Sequence, residues 1–187
     1  MNKRQIIPYG LLLIAFLAWL YLKPQEERVA LEEHHPSYIA YNLNNTHFDE
    51  TGKITHQTYA TKATSYSNKE ITIFENPKVI LYVTNNKDST ITTWQVDAQN
   101  GTLSEGNKLL LYGNVWAKNL SKDQLIQTMN TEKMTLLITE KELSSDLLVH
   151  WQGPQMKQQG TGMWASLASE ELIVKKQVKA VYLNENK

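Results

Sequence analysis

The chain has 187 residues, 41% of them hydrophobic, with 19 basic and 19 acidic side chains and no cysteine. That length fits one domain with or without a tail, and the balanced charge leaves no basic block able to neutralise a run of phosphates, which argues against nucleic-acid binding. The missing thiols exclude disulfide frameworks, thiolate zinc sites, iron–sulfur clusters, cysteine nucleophiles and a lipidated N-terminal cysteine.

Lys3 and Arg4 precede residues 6–22 (IIPYGLLLIAFLAWLYL), 17 residues without a charge, and Lys23, Pro24, Gln25, Glu26 and Glu27 follow. At 1.5 Å per residue the run spans about 25 Å against a hydrocarbon core of about 30 Å. This predicts a membrane helix within residues 1–23, with Trp19, Tyr21 and Lys23 in the far headgroup region. A cleaved signal peptide is the alternative, but residues 21–24 (YLKP) hold no A-x-A-like site of small residues. Positive charge before the run and acidic residues after it place the N-terminus in the cytoplasm and the remainder outside. Setting aside Lys3 and Arg4 leaves 17 basic against 19 acidic side chains, so the exported part has no electrostatic reason to lie on anionic lipid.

Residues 24–37 are charged, poor in large apolar side chains and broken by Pro36, and they read as a solvated linker. His34 and His35 within it have no third metal ligand nearby.

From Tyr38 to the C-terminus, residues 38–187, apolar positions alternate with polar ones. The pattern includes Ile71 and Ile73, then Val79, Leu81 and Val83, then Trp94 and Val96, then Leu109, Leu111 and Val115, then Leu136 and Ile138. Period two predicts half-buried antiparallel strands, separated by turn clusters such as residues 50–52 (ETG), 85–88 (NNKD), 105–107 (EGN) and 152–154 (QGP). Short stretches over 123–129 and 167–172 read as helical turns. Trp94, Trp116, Trp151 and Trp164 lie in strand-like settings and read as core. The predicted class is all-β, an antiparallel sandwich or jelly roll.

A weak internal repeat supports stacked hairpins. Residues 60–79, 98–115 and 160–178 share a strand ending near a small residue, a polar turn, a second strand, and a break before a valine-bearing strand. Each such hairpin cannot bury its apolar face alone, so the units must share one core.

Catalytic signatures are scarce. There is no G-x-S-x-G elbow, no H-E-x-x-H and no Asp-rich calcium loop. Glu26-Glu27, Glu32-Glu33 and Glu170-Glu171 are sequence neighbours, which an extended chain points to opposite faces. These residues predict a protein that is not an enzyme and needs no cofactor or metal. A membrane-anchored enzyme acting on envelope glycans and an anchored adhesion or structural sandwich remain as alternatives.

Residues 49–52 (DETG), 93–98 (TWQVDA), 111–115 (LYGNV), 145–149 (SDLLV) and Gly153 occur in this order behind a short N-terminal anchor. Together they resemble the LptC family, membrane-anchored subunits of the lipopolysaccharide export machinery of Gram-negative bacteria. The resemblance covers nearly the whole chain through the order and spacing of individually short motifs. It implies an inner-membrane protein with an open periplasmic β-jelly-roll of the OstA-like fold. It also implies that lipopolysaccharide is accepted from the inner-membrane ABC transporter by its acyl chains and passed through an apolar groove to a periplasmic bridge protein of the same fold. The same inward side chains would serve an ordinary closed core equally well.

By this resemblance Phe74 is an inward aromatic lining the groove, and Tyr112, before Gly113 in the L-Y-G motif, and Glu170, at most at the groove mouth, are further lipid-contacting positions. Gly52 sits in a turn near the transporter-facing edge, and Gly153 matches a glycine needed for assembly, although Pro154 after it departs from the pattern. Val178, Ala180 and Tyr182 belong to the last strand, the implied edge for the bridge protein.

Overall fold

The computed structural model describes residues 35–85 and 89–182. The predicted membrane segment lies outside them, and among the described residues no helix is long and apolar enough to cross a membrane. The described chain forms eleven strands: β1 (Tyr38–Phe48), β2 (Ile54–Tyr66), β3 (Ile71–Glu75), β4 (Lys78–Thr84), β5 (Ile91–Asp97), β6 (Asn100–Ser104), β7 (Lys108–Asn119), β8 (Thr128–Leu137), β9 (Glu142–Gln152), β10 (Met156–Ser166) and β11 (Glu171–Tyr182). All pair antiparallel in one continuous sheet, which confirms the all-β jelly-roll expectation.

The long strands serve two layers. β2 pairs with β1 on one side, and on the other with β4 through residues 56–59 and with β3 through residues 62–66. β7 mirrors this, pairing with β6 through residues 108–112 and with β5 through residues 116–119, while β8 takes its other side. Because β4 pairs with β5 and β3 with β6, β2, β4, β5, β7, β6 and β3 close into a ring. β8, β9, β10 and β11 continue outward from β7, leaving β1 and β11 as the edges. Left-handed residues and register breaks mark where long strands pass between layers: Asn42 (φ 52°) in β1, Gly113 and Asn114 (φ 80° and 51°) in β7, and Gly162 (φ 72°) in β10. An extra residue at such a point bends the strand and increases its twist.

Alternation then fills the space between the layers. Val79, Leu81, Val83, Trp94 and Val96 from one layer meet Leu109, Leu111, Met134, Leu136 and Leu143 from the other, all buried. Each such side chain contributes on the order of 1.5–3 kcal/mol by leaving water. Three expectations need correction. In β3 the inward parity belongs to Thr72 and Phe74, and Ile73 is exposed, because both neighbours of this short strand set its register: Phe74 stands between Ala63 of β2 and Gly101 of β6. Trp94 and Trp151 are buried, but Trp116 and Trp164 lie half-buried on outward parity. Lys118 Nζ sits 5.5 Å from the Trp116 ring centre, and the Trp164 indole donates to Glu142. Finally, residues 120–127 are a loop and residues 167–170 a turn, with one short 3-10 turn at Ser67–Lys69 instead.

The turns fall on two rims. One layer ends in the β2–β3, β6–β7, β8–β9 and β10–β11 turns, which hold one another: Ile138 N donates to Asn107 O at 3.1 Å and Leu167 N to Lys141 O at 3.0 Å. The other layer ends in the β1–β2, β4–β5, β7–β8 and β9–β10 connections. The two rims meet at two points, where Lys141 Nζ donates to Thr55 O at 3.3 Å, and where Glu170 accepts from Asn85 Nδ2 and Gln124 Nε2 at 2.5 and 3.3 Å.

Candidate functional site between the two rims

A cavity of about 770 Å3 opens between the rims beside β1, within the range of small-molecule sites. Its floor is apolar: Ala63, Phe74, Leu103, Leu109 and Ile138 reach it from β2, β3, β6, β7 and the β8–β9 turn, and Leu43 of β1 forms part of one wall. Phe74 is 5% exposed, its side of β3 fixed by pairing with Ala63 of β2 and Gly101 of β6.

The mouth is polar. His47 and His56 are cross-strand partners on β1 and β2, with ring centres 4.9 Å apart and planes at 25°. Burial lowers the His56 pKa to about 4, helped by the nearby Lys141 ammonium and by His47, so its imidazole is neutral at pH 7. Burial also lowers the Lys141 pKa. Asp49 and Glu50 stand on the β1–β2 turn at the outer lip. Hydrogen bonds from Thr51 and Lys53, at 2.7–3.0 Å, lower the Asp49 pKa and occupy its carboxylate within its own turn. The arrangement can take up an amphiphile, with apolar chains on the floor and polar groups at the lip. The acids at the mouth are adjacent in one turn, which is not the facing geometry of a general acid and base.

The residues singled out in the sequence separate in space. Phe74 lines the cavity. Tyr112 does not: it is 39% exposed on outward parity, one residue past the inward Leu111. Glu170 lies between the rims but away from Phe74, bonded to Asn85 and Gln124. Gly52 (φ 83°) closes the β1–β2 turn with open space around it. Gly153 is buried after β9, at the β9–β10 connection. Val178 and Ala180 are exposed on edge strand β11, where Tyr182 pairs with Met156. His47, His56 and Lys141 were missed, since single histidines and a lysine 85 residues after His56 carry no spacing signal; the register of β1 on β2 unites the histidines, and the bond from Lys141 Nζ to Thr55 O brings the lysine beside them.

The chain matches the family of lipopolysaccharide-assembly, LptC-related proteins over residues 10–183. It is 26% identical to the lipopolysaccharide export system protein LptC of Haemophilus influenzae, over 97% of this chain and 95% of that protein, and 24% identical to LptC of Escherichia coli K12, over 88% and 84%. Its fold is similar to that of LptH, the LptA-homologous periplasmic component of the lipopolysaccharide transport device of Pseudomonas aeruginosa, with a TM-score of 0.50, 6% identity, and coverage of 67% of this chain and 93% of that one. With the family match running through every described strand, this chain belongs to the LptC family.

Proposed function

We propose that this protein transports lipopolysaccharide as a carrier, not as a catalyst, holding acyl chains in the cavity between the rims. The observation that carries the reading is the apolar floor around Phe74 beneath an open polar mouth. An apolar floor beneath an open mouth gives hydrocarbon a surface to lie on out of water, and a moderate apolar contact releases its cargo, which a transporter requires.

In this reading residues 1–23 anchor the chain in the inner membrane with a cytoplasmic N-terminus, residues 24–37 are a linker, and residues 38–187 stand in the periplasm. The unpaired edges support a place in a chain of like domains, because an exposed strand edge readily accepts a neighbour's edge. β1 with the Gly52 turn faces the inner-membrane ABC transporter. β11, with Val178, Ala180 and Tyr182, faces the periplasmic bridge protein, and Gly153 supports that assembly from within the fold.

The test is site-specific photo-crosslinking in living cells. A crosslinker at Phe74 captures lipopolysaccharide while the transporter hydrolyses ATP, and crosslinkers at Ile73 and Glu75, on the opposite parity, do not. Equal capture from all three positions, or capture without ATP hydrolysis, overturns the reading.

A further inference from the structure

Each of the β2–β3, β6–β7, β8–β9 and β10–β11 turns, which share one rim, holds a residue other than glycine in the left-handed region: Glu70 (φ 52°), Glu105 (φ 54°), Lys141 (φ 60°) and Glu170 (φ 58°). The three glutamates are exposed. Lys141 alone reverses the charge, and it is the one of the four that lines the cavity. Its backbone is held by the bond from Leu167 N to its carbonyl oxygen, which aims the side chain across the mouth toward β2.

The ammonium there is under-compensated. Its protein acceptor is the neutral Thr55 carbonyl at 3.3 Å, and among the described residues no carboxylate lies within 4 Å of it. Burial lowers its pKa with no opposing carboxylate contribution. Withdrawing a cation from water without an anionic partner is costly, and Lys141 donates three hydrogen bonds when charged. Of the two acids that line the cavity, Asp49 is engaged by Thr51 and Lys53, and neither it nor Glu50 forms an ion pair with Lys141. Neutral groups line the same cavity, among them His56, Asn45 and Thr139.

We infer that Lys141, with His56, Asn45 and Thr139, forms an anion subsite that takes a phosphate group of the bound amphiphile while its acyl chains lie on the Phe74 floor. A tetrahedral anion offers acceptors to a compact ammonium and to neutral donors together, a geometry suited to lysine as a point charge. The subsite also orients the cargo, with its charged end outward and its chains inward. This rests on the carrier reading above and deepens it.

The experiment measures binding of lipopolysaccharide and of enzymatically dephosphorylated lipopolysaccharide to the full chain in detergent. The proteins are the native chain, Lys141→Met, Lys141→Arg, and Lys175→Met, whose lysine pairs with Asp146 on the outside. The native chain is expected to bind the phosphorylated form about tenfold more tightly, the scale of one charge-assisted hydrogen bond. Lys141→Met erases that preference without weakening the dephosphorylated form, Lys141→Arg restores it, and Lys175→Met keeps it. Inorganic phosphate in excess does not displace the lipid; complete displacement would make this a site for free phosphate and overturn the assignment. Equal binding of both forms by the native chain, or equal weakening of both by Lys141→Met, overturns the subsite alone. Binding of neither form by the native chain overturns the carrier reading with it.

Discussion

Gly153 and Leu125 share one space: a Cβ placed on Gly153 would collide with the carbonyl oxygen of Leu125. The glycine is therefore what lets the β7–β8 loop lie against the end of β9, while its own N–H donates to Met156 O at 3.0 Å. The neighbour is backbone, which cannot rotate away as a side chain does. Gly153→Ala is expected to destabilise the domain by about 1–3 kcal/mol through displaced backbone, and Gly153→Arg by more. Thermal unfolding of both variants measures this. If Gly153→Arg melts like the native chain yet fails to assemble with its partners, its effect lies at an interface and not in this packing.

The same loop is clamped by Asp123. Its two oxygens accept from Asn119 Nδ2 at 2.9 Å and Thr92 Oγ1 at 2.7 Å, and Asn119 Oδ1 accepts from Lys122 N. Asn119 and Thr92 are buried. Asp123→Ala leaves both donors without this acceptor and is expected to cost about 1–3 kcal/mol, read as a lower urea midpoint with unchanged slope. Asp123→Asn, which keeps one acceptor oxygen, loses less.

His56 gives the domain an acid sensitivity. Its folded pKa, about 4, lies below its ordinary value of 6.5. Above pH 6.5 the imidazole is neutral in both states and contributes no slope. As pH falls from 6.5 to 4 the unfolded chain takes up a proton that the folded chain refuses, so stability declines. For a half-buried group the loss is on the order of 1–2 kcal/mol after solvent screening. Urea titrations at pH 7 and pH 5 show this decline in the native chain and a smaller one in His56→Gln.

Phe74→Ala is expected to cost about 3 kcal/mol, toward the low end for a buried aromatic, because one side of the ring already borders open cavity. Phe74→Leu recovers most of the loss. A cost above 5 kcal/mol in denaturant unfolding would show that the ring is enclosed on every side and that the cavity does not reach it.

Much of this architecture was legible as alternation. Val79, Leu81 and Val83, with Trp94 and Val96, point inward as their spacing predicted, because a strand with one wet face can satisfy its apolar residues in one register only. The turn cluster at 105–107 stands where the sequence placed it. Periodicity failed where it met competing geometry. Ile71 and Ile73 alternate as well as Thr72 and Phe74 do, and pairing on both sides of β3 decided between them. Trp116 and Trp164 found partners for ring and N–H on the outer faces, so aromatic size alone did not bury them. The cavity mouth was illegible for a different reason, since Lys141 meets Thr55 across 86 positions of chain and no local pattern encodes that encounter.

The closed ring of β2, β4, β5, β7, β6 and β3 imposes an order on how the domain forms and comes apart. No ring exists until Lys108–Asn119 has joined both β5 and β6, so a truncation before β7 leaves those two strands without their shared neighbour. Closing a ring of six strands carries a loop-entropy cost before all of its contacts repay it, which places the rate-limiting event late and makes folding slow for the size. β1 and β11 lie outside the ring, each bonded along one side. Their amide protons exchange with deuterium first and the ring's last. The domain can therefore loosen or lend an edge strand to a neighbour while its central fold stays shut.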